Sequence, residues 1–437
     1  RERYNPHALA AVRQGAREGT LLDVATDQIF IALLLHNLRN SLVVEEDEQG
    51  LRLEFRPTMH FSDRPVRTPE RIRAVETEQS NSTALVDEDY VVKTYRKLEN
   101  GINPEIDMAP FLTETAGFFN TQALLGSVEL VEGDNRSAIA IIHSFVANQG
   151  DAWTVTASYL DRFVEEQRLL AASEHPGESD EQIPYLRTMS QAGRRTGEMH
   201  VALAGNNELA EFKPEPVRPE DGRRWADDIL VRAERIFDTL RQRRDSLKEA
   251  DRPLADQLLA LQEALPARLN GMLPREVDGF NIRLHGDLHL GRMLIVKDDI
   301  FIIGFEGRPR RTIAERGRKA PAARDVAGLI RSIDYSATAA YQRALKMGHD
   351  ENNRLANALT EWRDRATEVF LTSYHEATID QKFWPTDPRA AGQLLNFFLL
   401  EKAFDEVEYE LSHRPDWLRV PLIGIIRILA QQTEGVA

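Results

Sequence analysis

The chain has 437 residues, of which 42% are hydrophobic and 29% are charged, and its formal net charge is -15 at pH 7. A chain of this length exceeds what a single compact core usually supports, so we expect two lobes or domains. Acidic and basic residues alternate along the sequence and no basic tail accumulates, which argues against a nucleic-acid partner.

The sequence contains no cysteine, which excludes disulfides and thiolate metal sites and fits a reducing compartment, so a cytoplasmic location is predicted. The longest apolar run, residues 29–35, is far shorter than a membrane span, and no signal-peptide pattern follows the first residue, so we expect no membrane association. That first residue is Arg1 and not methionine, so we expect the chain to be a module cut from a longer polypeptide.

An N-terminal cap subdomain is predicted for residues 1–70. This stretch combines a helical pattern at residues 7–17 with a strand pattern at residues 51–55. Prolines at positions 57, 65 and 69 then mark a boundary.

The next segment, residues 75–98, predicts a hairpin with a polar turn over residues 78–83 and a β-rich strand that carries Lys93. Backbone N–H groups of small polar turn residues can cradle phosphate. The candidate nucleotide-binding residues of this turn are Gln79, Ser80, Asn81 and Ser82. Because the turn lacks glycine, an ordinary hairpin turn explains it about as well.

A helix is predicted to begin at Asn103, because an N-cap residue is followed there by proline at the first helical position. It is expected to run to about residue 116 and carries Glu105 and Asp107 in its first turns. A strand lysine followed by a helix carboxylate is the phosphate-gripping pair of kinase folds. The alternative is an exposed Lys93 with two solvated acids.

Beyond residue 150 the pattern changes from strands to long amphipathic helices. We therefore predict a β-rich N-lobe over residues 71–150 and a helical C-lobe over residues 151–437, with nucleotide bound between the lobes. The predicted helices lie near residues 159–171, 225–247, 322–345, 355–376, 391–411 and 420–432.

The helical lobe is interrupted by a loop and a hairpin at residues 283–307. The loop holds His285, Gly286 and Asp287, and two short strands are predicted on either side of a turn at residues 297–299. In kinase-fold phosphotransferases an Asp in such a loop accepts the proton of the substrate hydroxyl, while a residue five positions later and an Asp after the next strand ligate Mg²⁺.

These motifs together resemble the bacterial maltokinases, in particular the kinase module fused C-terminal to trehalose synthase, within the aminoglycoside-kinase-like phosphotransferase superfamily. The resemblance extends over nearly the whole chain. It is carried by residues 78–82, 101–105, 148–151, 285–291, 324–332 and 414–418 and by Lys93 within Val-Val-Lys-Thr-Tyr-Arg.

The resemblance implies an α+β, two-lobed, protein-kinase-like fold with an N-terminal cap subdomain and a mainly helical C-lobe. It implies transfer of the γ-phosphate of ATP to maltose with Mg²⁺ as cofactor, giving maltose 1-phosphate on the route from trehalose to glycogen. Asp287 is then the base, Lys93 grips phosphate, Asp107 is the helix partner of Lys93, and Asp325 supports the catalytic loop.

The chain departs from this family at the metal positions. The family has Gln at position 292, Asp at 304 and Glu at 308, where this chain has Arg292, Gly304 and Arg308, and it usually has Tyr at Asp405. These changes at 292, 304 and 308 raise the local formal charge by about four. Either Glu306 supplies a replacement carboxylate for the metal, or Arg292 and Arg308 bind the phosphates directly.

An aromatic and acid-rich wall for a disaccharide is predicted on the last helices. Its candidate residues are Tyr374, Tyr409, Glu410, Arg414 and Trp417, each of which is otherwise explained as core or surface.

Three functions remain open from the sequence. They are a maltose kinase impaired by its substituted metal ligands, a catalytically inactive nucleotide-binding module of a trehalose synthase fusion, and a kinase for another small sugar or aminosugar.

Overall fold

The computed structural model describes residues 8–46, 50–62, 67–75, 81–172, 182–205, 208–348 and 354–434. The chain divides into two compact units. The first consists of Arg1–Asn148 with Ile303–Gly317, and the second of Gln149–Ile302 with Arg318–Ala437. The predicted boundaries near residues 70 and 150 remain a prediction.

The strands are β1 (Ala8–Gln14), β2 (Arg17–Leu22), β3 (Val43–Glu46), β4 (Leu51–Pro57), β5 (Ile72–Ala74), β6 (Asn81–Val86), β7 (Tyr90–Tyr95), β8 (Leu124–Glu132), β9 (Asn135–Ser144), β10 (Glu215–Pro216), β11 (Phe280–Asn281), β12 (Met293–Val296) and β13 (Asp299–Ile302). The helices are α1 (Gln28–Arg39), α2 (Met59–Ser62), α3 (Pro104–Pro110), α4 (Ala152–Ala172), α5 (Gln182–Ala204), α6 (Pro219–Arg243), α7 (Arg252–Ala260), α8 (Leu265–Met272), α9 (Ile313–Arg316), α10 (Ala323–Lys346), α11 (Arg354–Thr378), α12 (Pro388–His413) and α13 (Arg419–Glu434).

The first unit is built on an antiparallel sheet in the order β3-β4-β8-β9-β7-β6-β5. Helix α1 begins at its N-cap Asp27, whose carboxylate accepts from two backbone N–H groups, and it buries Leu35 and Leu38 among the core residues of this sheet. Gly126 in β8 permits that approach, because a Cβ there would lie 2.6 Å from the Arg56 carbonyl oxygen and 2.7 Å from Leu38.

Two local predictions in the first unit are wrong. Residues 7–17, predicted as a helix, contain β1 and the start of β2, which turn at Gly15 with a φ of 62° that glycine adopts without strain. The polar turn predicted at residues 78–83 is β6 from Asn81 onward, and the β6–β7 hairpin turns instead at Asp87 and Glu88, both with positive φ. Residues 76–80 lie outside the described part of the chain.

The predicted helix start at Asn103 is confirmed. The Asn103 side chain accepts from the backbone N–H of Glu105, and Pro104 occupies the first helical position. Helix α3 is followed by a turn of π-helix, Phe111–Thr115, so the helical segment ends close to the predicted residue 116.

The second unit is mainly helical, as predicted for the C-terminal part of the chain. Its largest buried cluster joins α6, α12 and α13, with Trp225, Phe237, Phe397, Phe404 and Ile425 among its members. The predicted hairpin is also confirmed, since β12 and β13 pair from Met293 with Ile302 to Val296 with Asp299. Among the described residues, no helix combines the length and apolar character needed to cross a membrane.

Candidate functional site

The loop that carries Asp287 is held by a carboxylate from helix α10. The backbone N–H groups of His285 and Gly286 donate to Asp325 at 2.8 Å and 3.0 Å. Gly328, one turn further along α10, allows the loop to lie against the helix, because a Cβ there would be 2.6 Å from the Leu288 carbonyl oxygen. The predicted support of the loop by Asp325 is therefore present.

A buried histidine and tyrosine extend this support into the core. The Nε2 of His200 lies 3.3 Å from Asp325, and its Nδ1 lies 2.9 Å from the hydroxyl of Tyr374. Burial tends to raise the pKa of the Asp325 carboxyl, but the bond from His200 and the backbone bond from Gly286 lower it below its usual value. The site thus keeps Asp325 ionised as an acceptor for the loop.

Tyr374 is fully buried, with 0% relative exposure, and burial raises the pKa of its phenol well above the usual value. Its hydroxyl is engaged with His200. This placement does not support the predicted sugar contact and puts Tyr374, with His200, behind the loop that carries Asp287. No local pattern points to His200, which lies 125 residues from Asp325 in the chain.

Asp287 lies between two cations of its own unit. The Nζ of Lys402 on α12 is 3.4 Å from one carboxylate oxygen, and the guanidinium of Arg292 is 3.7 Å from the other. His289 approaches the second oxygen at 3.8 Å. Partial burial, aided by Arg292 and Lys402, lowers the pKa of His289 against the opposing effect of Asp287. The sequence reasoning missed Lys402.

The side chains around Asp287 do not fit a Mg²⁺ ion. Arg292 stands where the maltokinase resemblance implies a metal ligand, and a guanidinium has no lone pair to offer a metal. With Lys402 on the opposite oxygen, both sides of the carboxylate already face a cation. Within the described ranges, no group of three or more His, Cys, Asp or Glu side chains is arranged to hold a metal ion.

Glu306, the candidate replacement ligand, is buried in the first unit with 5% exposure. Its carboxylate accepts from the Nδ2 of Asn81 at 3.2 Å. Asn81 was itself predicted to bind nucleotide. The structure therefore places two predicted site residues, Asn81 and Glu306, in direct contact. A metal-binding role for Glu306 remains a prediction.

The first unit also contains a buried lysine–glutamate pair. Lys93 on β7 donates to both oxygens of Glu105 on α3, at 2.7 Å and 2.9 Å, and His143 lies 3.2 Å from the same carboxylate. Burial tends to raise the pKa of Glu105, but Lys93 and then His143 lower it well below its usual value. A lysine held by an ionised helix carboxylate is thus present.

The partner of Lys93 was predicted at Asp107, and the structure corrects this to Glu105. The reason is helical geometry. Two residues along an α-helix correspond to a rotation of about 200°, so Asp107 points away from the face that Glu105 presents. Glu105 has 1% exposure. A contribution of Asp107 to nucleotide binding remains a prediction.

The polar residues predicted to cradle phosphate fall into two groups. The hydroxyl of Ser82 donates to Asp23 at 3.2 Å and accepts from Arg96 at 3.0 Å, within the first unit. Gln79 and Ser80 lie outside the described residues. A nucleotide contact by any of them remains a prediction.

Four of the five predicted sugar residues come together in the second unit. Glu410 accepts from Arg414 at 2.9 Å, and the Arg414 guanidinium lies over the rings of Tyr409 and Trp417 at 5.1 Å and 5.8 Å. Burial raises the pKa of Glu410 against the lowering effect of its partners. This group thus forms a wall of aromatic faces with an acid at its base.

Two further aromatic residues, which the sequence reasoning missed, complete the wall. Tyr335 on α10 stacks on Trp417 with ring centroids 5.9 Å apart, and Trp153 on α4 lies 6.3 Å from Tyr335. The Tyr335 hydroxyl also donates to Glu410. Because α10 carries Tyr335 and Asp325, and α12 carries Glu410 and Lys402, the same two helices contact the loop of Asp287 and contribute to this wall.

The sequence profile of the phosphotransferase enzyme family matches residues 71–363, more than half of the chain. A glucosamine kinase from Streptacidiphilus jiangxiensis is 24% identical over 376 residues, covering 83% of this chain and 74% of the relative. A glucosamine kinase from Mycolicibacterium smegmatis is 23% identical over 373 residues, covering 83% of this chain and 80% of the relative.

Among solved structures, a glucosamine kinase in complex with glucosamine, ADP and inorganic phosphate superposes with a TM-score of 0.67 at 20% identity, covering 98% of this chain and 93% of that one. A second glucosamine kinase structure, crystal form B, gives a TM-score of 0.63 at 20% identity, covering 95% of this chain and 88% of that chain. The predicted kinase-like α+β fold is confirmed. The chain belongs to the phosphotransferase enzyme family, within the aminoglycoside-kinase-like superfamily that its motifs predict.

Proposed function

We propose that the chain transfers the γ-phosphate of ATP to a hydroxyl group of a small sugar. The observation that carries this proposal is the placement of Asp287 on a loop whose backbone N–H groups are fixed by the buried carboxylate of Asp325. Membership of the phosphotransferase family supports the reaction class. Two relatives named as glucosamine kinases, and a similar fold solved with ADP and a sugar, support ATP and a sugar as substrates.

In the proposed reaction Asp287 accepts the proton of the sugar hydroxyl. The hydroxyl oxygen forms a bond to the γ-phosphorus, the bond from that phosphorus to the β–γ bridging oxygen breaks, and ADP leaves. Lys93 contributes positive charge to the phosphates, and Glu105 keeps its ammonium in position. A positioned base of this kind contributes about 10²- to 10⁴-fold in rate.

Two acceptors compete in the proposal. The resemblance of the catalytic motifs to maltokinases supports maltose, together with a fused or associated trehalose synthase as partner. The relatives named as glucosamine kinases support an aminosugar. The partly exposed rings of Trp153 and Trp417, with the buried Tyr335 stacked on Trp417, suit either acceptor, because aromatic faces can pack against the apolar C–H face of a sugar ring. An inactive nucleotide-binding module is the remaining alternative, favoured by Arg292 and Gly304 at metal positions.

A coupled assay of ADP release tests the proposal with maltose, glucosamine and glucose as separate acceptors. We expect acceptor-dependent turnover with at least one sugar and its loss in Asp287→Asn. Detection of the phosphorylated sugar by mass spectrometry identifies the acceptor. ATP binding without acceptor-dependent turnover would favour the inactive module, and turnover unchanged in Asp287→Asn would remove Asp287 as the base.

A further inference from the structure

We propose that Asp287, Arg292 and Lys402 form a phosphate-binding centre that works without a divalent cation. The inference rests on the proposed function and deepens it, because it says which groups meet the charge of ATP where the family places a metal. It starts from the misfit described above between the side chains around Asp287 and Mg²⁺.

The first step is the charge of the centre. Lys402 lies 3.4 Å from one oxygen of Asp287 and Arg292 lies 3.7 Å from the other. These three side chains together carry one net positive charge. An ammonium and a guanidinium also have more N–H donors than one carboxylate accepts, so each can contact Asp287 and a phosphate oxygen at once.

The second step is burial. The exposed fractions of the Asp287 and Lys402 side chains are 15% each, and that of Arg292 is 21%. Charges that are largely removed from water are screened less by solvent and salt, so an excess positive charge here attracts an anion more strongly than a surface lysine does. The same excess charge repels a divalent cation.

The third step is rigidity. Lys402 follows Glu401, a residue with 1% exposure that pairs with Arg324 on α10 at 3.0 Å and 3.2 Å. The α12 backbone next to Lys402 is therefore tied to the helix that holds the catalytic loop through Asp325. A cation such as Lys402, carried by a helix whose neighbouring residue is fixed to a second helix, is preorganised and loses little freedom when a phosphate binds.

Titration calorimetry with ATP, in EDTA and in excess Mg²⁺, tests this centre on the full chain. We expect the dissociation constant in EDTA to stay within about tenfold of its value in Mg²⁺. In EDTA, Lys402→Met and Arg292→Gln should each weaken ATP binding by about tenfold or more, as expected for loss of a charge-assisted contact. Lys402→Arg, which keeps the charge, should retain the affinity.

Lys248→Met is the matched control, because Lys248 is an exposed lysine that pairs with Asp416 at 2.6 Å in the same unit. Its ATP affinity should equal that of the unaltered chain. A thermal melt of each variant separates lost binding from lost folding. A more than tenfold loss of affinity in EDTA, or unchanged binding by a folded Lys402→Met variant, overturns the inference while leaving the proposed kinase intact. If ATP binds in neither buffer, the result contradicts the proposed function as well.

Discussion

The Glu105 carboxylate contacts three groups of the first unit, the buried Lys93 and His143 and the partly buried Tyr95. It accepts from Lys93 at 2.7 Å, lies 3.2 Å from His143, and accepts from the Tyr95 hydroxyl at 3.4 Å. A buried charge is stable only when an opposite charge compensates for its lost hydration. Removing the Glu105 carboxylate leaves the Lys93 ammonium buried without that charge, which lowers the free energy of unfolding by about 3–5 kcal/mol. The position of Lys93 thus depends on Glu105.

This dependence gives a matched pair of variants. We expect Glu105→Gln to lower the stability of the chain and to weaken ATP binding by about tenfold or more, since Lys93 loses a charge-assisted partner. Asp107→Asn, two residues along the same helix, should change both quantities little. Calorimetry with ATP and urea unfolding measure them. The reverse order of effects would restore Asp107 as the helix partner of Lys93.

A second prediction concerns the metal positions. The triple substitution Arg292→Gln, Gly304→Asp and Arg308→Glu should give Mg²⁺-dependent transfer, because it introduces the oxygen ligands that the maltokinase resemblance implies and removes two guanidinium groups. Gly304 has a φ of 81°, a conformation that aspartate tolerates better than most residues. Gly304→Asp alone should give less.

Steady-state rates at a series of Mg²⁺ concentrations measure this gain. Equal turnover by the unaltered chain and the triple variant contradicts the prediction and points to Glu306 as the replacement ligand. Glu306→Gln in the unaltered chain then serves as the control.

At the scale of elements, helix α10 organises the second unit. It holds the catalytic loop through Asp325 and contributes Ser332, whose hydroxyl accepts from the Leu290 backbone N–H at 3.1 Å. His200, which contacts Asp325, also contacts the Tyr374 hydroxyl. We expect Tyr374→Phe to leave the sugar KM unchanged while lowering kcat and stability, because the change leaves the buried Nδ1 of His200 without its hydrogen-bond partner at a cost of about 1–3 kcal/mol.

Trp417→Ala is the comparison for that variant. It should raise the sugar KM, since Trp417 presents a half-buried ring that stacks on Tyr335. Initial rates at varied sugar, together with thermal melts, separate the two effects. A raised sugar KM in Tyr374→Phe would indicate that Tyr374 contributes to sugar binding, as the sequence predicted.

Elements with strong local signals were predictable from the sequence. The N-cap Asn103 with Pro104 fixes the start of α3, and the two apolar runs around Lys297 pair as β12 and β13. The helix prediction for residues 7–17 was wrong. Alanine and leucine favour a helix there, but the turn at Gly15 makes the segment a hairpin. The choice between Glu105 and Asp107 depended on which helix face is buried, and that depends on packing against the sheet.

At the scale of the whole molecule, the sites depend on contacts between distant parts of the sequence. Lys402 reaches Asp287 across 115 residues, and His200 reaches Asp325 across 125. No local pattern encodes such pairs. The sequence predicted the loop of Asp287, its support by Asp325, and Lys93, but it did not predict the contacts of Lys402 and His200.

The pH dependence of stability is a property of the whole chain. The pKa of Glu105 is lowered from 4.5 and that of Asp325 from 3.8. A lowered folded-state pKa means that the stabilisation is fully present above the unfolded pKa and is lost as the pH falls. We expect the urea midpoint to drop as the pH falls below about 4.5, and to drop less steeply in Glu105→Gln. Equal slopes in the two proteins would contradict this.

The segment Ile303–Gly317 belongs to the first unit although more than a hundred residues of the second unit precede it. Within the first unit, Asn81 contacts Glu306, and Glu99 pairs with Arg316 at 2.5 Å. During synthesis on the ribosome, strand β6 and residue 99 therefore emerge long before their partners exist. At typical translation rates the delay is on the order of ten seconds, so the first unit completes these contacts only after most of the chain has been made.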